Sequence, residues 1–310
     1  MQDAENLRIL MAMSHNQNTA LSGNDGDSSV GSSGPRPDSI TRARHQATYV
    51  AKATARRIRW TVPDLLGSRP HELHPPRRLS FVGHGDFRQT GLEYLDHFQK
   101  LAGLTPADRV LDMGCGIGRM AIPLMPFLGD GSYAGFDVGR EMIGWCQRNI
   151  TLQRPNFEFT WAPIYNRKYN PFGRVAGNEF RFPYPDSSFD FAFAISLFTH
   201  LLRDEVRHYL AETARVLRPG GTCLLTFFLL TPEAEREIAA GRAAFDFRYG
   251  IDGGSTIDPH QPEEAVAYRV EEVRTMLEDT GLYVSEPIFY GLWANAPEGI
   301  AGQDIVVASR

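Results

Sequence analysis

Apolar residues along this chain fall into short runs separated by stretches in which they recur every three or four positions. The runs at residues 109–113, 132–137, 157–160, 189–196, 222–229, 283–290 and 305–308 have the length of buried strands. Between them, helical spacing predicts helices near residues 120–127, 140–149, 204–216 and 270–279. Upstream, Leu92, Leu95, Phe98 and Leu101 repeat at helical intervals over residues 91–101 and should lay one face on a sheet. Strands alternating with helices of this length predict an α/β fold, a doubly wound, mostly parallel seven-stranded sheet. The last two strands are separated only by residues 291–302, too few for a crossover helix, so the final pair should be antiparallel.

Two regions stand outside that alternation. From Leu21 to Ser39 the sequence is Ser, Gly, Asn, Asp and Pro with almost nothing apolar, and residues 1–40 are expected to be a disordered tail. Residues 41–88 then form a basic helix and connector. From Thr41 to Trp60 there are six Arg and Lys residues and no acidic one, which reads as a solvated helix packed on the main domain, with an acidic docking partner or a transit segment as the other readings. The Pro-, His- and Arg-rich residues 63–78 predict an irregular connector. The domain proper covers 89–310. Its alternation is interrupted at 231–268 by one helix and a long Gly- and Pro-containing loop, placed where a lid would sit.

A net charge of −5 and a pI near 6.0 provide no global field for a polyanion, so a nucleic-acid partner is not expected. Three scattered cysteines without paired spacing indicate a reducing compartment and no metal site. There is no run long and apolar enough to span a bilayer and no recognisable leader, so a cytoplasmic location is the default expectation.

The sharpest local signal is Val110-Leu111-Asp112-Met113-Gly114-Cys115-Gly116-Ile117-Gly118-Arg119, a strand running into alternate glycines and then a helix. Glycines there let the backbone approach a ligand at the carboxyl end of a central strand. Asp137 ends the next strand, 21 residues after Gly116, where a carboxylate can accept both hydroxyls of a ribose. The ligand should therefore be a nucleoside. A dinucleotide fingerprint requires glycine at the position of Arg119, and no Gly-Lys-Ser/Thr follows for a phosphate loop.

With Asp112 and the G-x-G-x-G of Gly114, Gly116 and Gly118, the chain resembles the class I S-adenosylmethionine-dependent methyltransferases, a family of Rossmann-like fold. The resemblance extends through Phe182-Pro183-Tyr184-Pro185-Asp186 and through Ala214-Arg215-Val216-Leu217-Arg218-Pro219-Gly220-Gly221, where Pro219 should stop a helix. It covers residues 104–229 strongly and the last strands weakly. It implies S-adenosylmethionine as cofactor, with Gly114, Gly116 and Gly118 in the loop beside its methionine part, Asp112 toward its amino group and Asp137 on its ribose. The family often places Asp or Asn after the third strand to meet adenine. Here Trp161-Ala162-Pro163-Ile164 stands instead, leaving backbone and apolar contacts at Ala162, Pro163 or Ile164.

A sulfonium methyl is already activated, so positioning should dominate and a hydroxyl acceptor would be helped by a general base. The fourth strand ends in Ser196-Leu197-Phe198-Thr199-His200, on the edge where the family's acceptor meets the methyl group. Ser196 is counted with the cofactor edge and His200 is the leading base. His84 and Asp86 are second candidates; His260, Tyr268 and Trp293 could line a pocket but are expected to be exposed. No [DNS]-P-P-[FYW] motif follows the strand, which turns the expectation from nucleobases toward a small-molecule or saccharide acceptor. Two other readings remain open: a nicotinamide-dependent oxidoreductase, and a cofactor-binding domain without turnover.

Overall fold

The computed structural model describes residues 38–66, 73–80 and 86–310. The tail expected at 1–40 lies outside them up to residue 37. The described residues divide into two units, one ending at Phe193 and the other running from Ala194 to Arg310.

The first unit opens with α1 (Ser39–Leu66) and α2 (Phe87–Ala102). α1 continues four residues into the stretch expected to be irregular, because the single N–H missing at Pro63 does not end a helix of 28 residues. It is tied down by Arg42 donating to the Gly173 carbonyl, by a 2.7 Å bond between His45 Nδ1 and the Tyr165 hydroxyl, and by Tyr49 meeting Phe172 edge-on. α2 starts at Asp86, whose Oδ1 accepts from the N–H groups of Arg88 and Gln89 at 3.0 and 2.8 Å. Its buried face is Gly91, Tyr94, Phe98 and Ala102 rather than the expected row through Leu92, which is 44% exposed. The reason is close packing: a Cβ at Gly91 would come 2.7 Å from the Arg119 carbonyl oxygen, so the small residues turn inward. Phe98 then stacks on the sheet, with ring centroids 4.4 Å from Phe193 and 5.3 Å from Phe191.

That sheet contains β1 (Arg109–Met113), β2 (Ser132–Asp137), β3 (Phe157–Trp161) and β4 (Phe189–Ala194), with β1 parallel to both β2 and β4, and β2 parallel to β3. α3 (Ala121–Phe127) joins β1 to β2. α4 (Arg140–Cys146) passes into a wider π turn at Gln147–Thr151, so the helix predicted for 140–149 changes its winding partway.

In the second unit α5 (Arg203–Val216) leads into β5 (Leu217–Phe227). The helix ends at Val216, not at Pro219. Leu217 is already extended, and Gly220 and Gly221 exchange backbone bonds with Arg310. The region expected to be one helix and a long loop holds β6 (Leu229–Leu230), α6 (Pro232–Ala239), β7 (Tyr249–Ile251), β8 (Gly254–Thr256) and β9 (Val266–Arg269). The four strands form a small sheet in the order β6-β9-β8-β7, with Asp252-Gly253 as the two-residue turn between β7 and β8. α7 (Val270–Asp279), β10 (Tyr283–Phe289) and β11 (Asp304–Ser309) complete the chain. β11 runs antiparallel to both β10 and β5, so the final pair is antiparallel as expected.

The large sheet has seven strands in the order β10-β11-β5-β4-β1-β2-β3, parallel except at β11, the Rossmann-like α/β class read from the sequence. No helix of the described residues is long and apolar enough to cross a membrane.

Tyr268 and Trp293, expected to be exposed, are both fully buried. Trp293 packs its ring against Phe228 and Phe247, with centroids 5.2 and 5.4 Å away, and donates Nε1–H to Asp304 Oδ2 at 2.8 Å. Asp304 is itself buried and also accepts from the N–H groups of Leu229 and Gly291, each at 2.6 Å. Burial pushes its pKa up to about 6 against the pull of those three donors. A carboxyl whose folded pKa is raised makes a contribution that falls as pH rises from its unfolded to its folded value. Asp304→Asn, with one accepting oxygen for three donors, should lower unfolding stability by roughly 1–3 kcal/mol. That deficit should shrink between pH 4 and 6 in urea titrations, because only the wild type titrates there; a deficit that grows with pH would contradict the role of burial.

Candidate functional site

β1 delivers the chain to a loop whose glycines all have positive φ: +80° at Gly114, +53° at Gly116 and +79° at Gly118. The loop is bound to the carboxyl end of β2. Gly114 N–H and Cys115 N–H both donate to the Phe136 carbonyl, at 2.9 and 3.1 Å. Gly116 N–H donates to Asp137 Oδ2 at 2.9 Å and Gly139 N–H to Oδ1 at 2.6 Å. The Asp137 carbonyl in turn accepts from Ala162 N–H at 2.9 Å, joining the end of β3 to the same point. The structure thus brings together Asp112, Gly114, Gly116, Asp137 and Ala162 at adjoining strand ends.

Two of the glycines do different work. A Cβ on Gly116 would meet nothing within 4 Å, so its left-handed backbone faces open space. A Cβ on Gly118 would lie 2.8 Å from Ile150 Cδ1 and 3.3 Å from Cys146 Sγ; here the missing side chain lets the turn after α4 pack against the loop.

Asp112 is 2% exposed and accepts a 2.6 Å hydrogen bond from the Tyr133 hydroxyl. The β1–β2 register pairs Val110 with Tyr133 and Asp112 with Gly135, setting that hydroxyl beside the carboxylate over a position with no side chain. Burial raises the Asp112 pKa to about 8; the Tyr133 bond pulls it down and the charge of Asp137 pushes it further up. Asp137 is half-buried. That burial raises its pKa, opposed by the backbone bonds from Gly139, Gly116 and Val138. Burial thus disfavours the charged form of both carboxyls, and a cation beside either would draw it back toward the carboxylate.

Sequence reasoning missed Tyr133. Its signal was the period of two along β2, which puts residues 133, 135 and 137 on one face. Trp161 was also missed as more than a neighbour of Ala162. Its Nε1–H donates to the Val138 carbonyl at 3.0 Å, and Arg140 lies 5.1 Å over its ring. Ala162 and Ile164 are buried, and the Pro163 carbonyl is engaged by Arg174 and Val175 N–H groups at 2.7 and 3.1 Å.

Ser196 and His200 belong to the second unit. Ser196, just past β4, has φ +56°, an uncommon conformation for a residue with a side chain. Thr226 Oγ1 accepts its N–H at 2.8 Å, and its hydroxyl donates to Gln303 Oε1 at 3.1 Å. His200 closes a 3₁₀ turn at Phe198–His200. Its Nδ1 lies 3.0 Å from the Glu263 carbonyl, which can only accept. Nδ1 therefore carries the proton, and in the neutral ring Nε2 is left as the acceptor, the form a base requires. The carbonyl of Leu201 accepts from the buried Tyr268 hydroxyl at 2.8 Å. Glu205, whose pKa burial raises to about 7, accepts from Leu202 N–H at 3.2 Å. Of the second candidates, His84 lies outside the described residues, Asp86 caps α2, and His260 is exposed with its N–H on Asp258.

A family model for the methyltransferase domain matches residues 111–225, from inside β1 to inside β5. Over 165 residues the chain is 31% identical to 27-O-demethylrifamycin SV methyltransferase of Amycolatopsis mediterranei, covering 52% of this chain and 55% of that protein. It is 31% identical over 178 residues to a fatty-acid O-methyltransferase of Mycolicibacterium smegmatis, covering 54% and 56%. It is 25% identical over 191 residues to a sterol 24-C-methyltransferase of Yarrowia lipolytica, covering 60% and 44%. The chain spans about half the length of these curated relatives. The matched segment contains the glycine loop, its partner carboxylate at Asp137 and the end of β3, so residues 111–225 are similar to a methyltransferase domain at the strand ends described above.

Proposed function

We propose that this chain transfers the methyl group of S-adenosylmethionine to an oxygen of a small-molecule or saccharide acceptor, with His200 as general base. The observation that carries the reading is the bonding of Asp137. In its bonds to Gly116 and Gly139 each carboxylate oxygen uses one of two lone pairs. The acceptor capacity that the backbone bonds leave on the two oxygens suits the hydroxyls of a ribose. The open space over Gly116 supplies the close backbone approach that the rest of the nucleoside needs, so the residues present fit the cofactor.

When bound, S-adenosylmethionine supplies a methyl group already activated on a sulfonium. Asp137 orients the ribose. Asp112, held by Tyr133 in a buried setting, faces the cofactor's amino group, whose positive charge draws the carboxyl toward its ionised form. Ala162 shapes the adenine side through its backbone and methyl group, in place of the carboxylate many relatives use. Ser196 keeps the backbone after β4 in its left-handed turn, conformational strain of the kind that persists at working sites. His200, with Nδ1–H on the Glu263 carbonyl, presents Nε2 to take the proton from the acceptor hydroxyl as the new bond forms. Oxygen is preferred as acceptor atom because two of the relatives are named O-methyltransferases or act at a 27-O position, whereas the sterol relative is named for carbon.

Asp137→Ala should lower S-adenosylmethionine affinity at least about 100-fold in calorimetric titration. It removes two charge-assisted bonds worth roughly 1.5–3 kcal/mol each from the ribose. Unchanged affinity in a folded variant would remove Asp137 from the ribose site. For His200→Ala, turnover in a screen of hydroxylated metabolites and sugars should fall about 10²- to 10⁴-fold, with cofactor affinity kept within about twofold. Wild-type turnover would take His200 out of the mechanism.

A further inference from the structure

On α1 the half-buried positions Tyr49, Ala53, Arg56 and Trp60 recur at helical spacing and face the body of the first unit. Val50, Thr54 and Arg57 run beside them. Except for Trp60, these two rows line a cleft with about 220 Å³ of internal space. Its opposite side is made by the turn at Arg78 and Leu79 and by the start of α4. None of the residues assigned above to the cofactor lines it. Gly139, whose N–H holds Asp137, does, so the cleft lies next to the ribose carboxylate.

The lining has a definite chemistry. Three arginines, Arg56, Arg57 and Arg78, stand against one acidic residue, Glu141. Glu141 is paired with Arg57, and both side chains are more than half exposed, so water and a competing anion can replace that pair. Arg56 is partly withdrawn from water, yet a guanidinium stays charged there. Below the arginines, Leu79 and Met142 are buried and supply an apolar floor. The rings of Tyr49 and Tyr169 flank it. The absence of any acidic residue from Thr41 to Trp60 keeps the helical wall positive along its length.

We propose that this cleft binds a small organic anion, a phosphate or carboxylate carried on an aromatic or aliphatic body. Guanidinium forks match the paired oxygens of either group, and the excess of positive charge favours the dianionic phosphate. The body of the ligand covers Leu79 and Met142 between the two tyrosine rings. The inference does not rest on methyl transfer, because nothing in the cleft's chemistry requires the cofactor.

The test is calorimetric titration of the full chain with phenyl phosphate, benzoate and, as the neutral control, phenol. Phenyl phosphate should saturate, benzoate should bind more weakly and phenol should not bind. Arg56→Met and Arg78→Met should each weaken phenyl phosphate at least about tenfold while leaving S-adenosylmethionine affinity within about twofold. Arg56→Lys keeps the charge without the fork and should fall between wild type and Arg56→Met, which gives a readout even if the methionine variant does not fold. Phenol binding as tightly as phenyl phosphate, wild-type affinity in the arginine variants, or no saturation up to about 10 mM phenyl phosphate would overturn the proposal. Titration of the same samples with S-adenosylmethionine reports separately on the cofactor reading.

Discussion

The bonds between the glycine loop and the end of β2 are the constraint from which the rest of the site follows. Three successive N–H groups, from Gly114, Cys115 and Gly116, are satisfied by two neighbouring residues, Phe136 through its carbonyl and Asp137 through its carboxylate. A loop held by three donors in a row has little freedom. It can take that path only because Gly114 and Gly116 accept positive φ, and it leaves the space over Gly116 clear. The same carboxylate fixes Gly139 at the entrance to α4, and the Asp137 carbonyl fixes Ala162 after β3. One residue therefore organises three strand ends.

The second unit works by backbone geometry more than by titrating groups. Glu263, in the stretch added between β5 and α7, offers His200 a carbonyl, and a carbonyl selects the tautomer that protonates Nδ1 and leaves Nε2 the acceptor. Tyr268 supports the neighbouring Leu201 carbonyl from within the small sheet. The insertion is thus a packed scaffold under the candidate base, held by Phe228, Phe247 and Trp293 and by the three bonds to Asp304.

What could be read from the sequence was what local pattern determines. Continuous apolar runs gave the seven strands of the large sheet, and α7 begins and ends where its spacing and charges say. The glycine loop was legible because a tight turn restricts residue choice at fixed positions, and Asp137 because it ends the neighbouring strand at a fixed distance from the loop. What was not legible depends on contacts distant in the chain. The inward row of α2 is set by the approach of Gly91 to the Arg119 carbonyl, which no periodicity contains. Trp293 is buried by residues far from it in sequence. The small sheet carried a local sign, Asp252-Gly253 between short extended segments, but its strands are too short for alternation to stand out. Tyr133 was hidden because its importance comes from register with Asp112.

The central claim is that the glycine loop and Asp137 hold the nucleoside of S-adenosylmethionine. The most direct measurement is calorimetric titration of the purified wild-type chain with S-adenosylmethionine and S-adenosylhomocysteine, with NADH as control. Binding of the first two in the micromolar range, with NADH inert, is the predicted result. A folded protein that binds neither, or that binds NADH instead, would contradict the account.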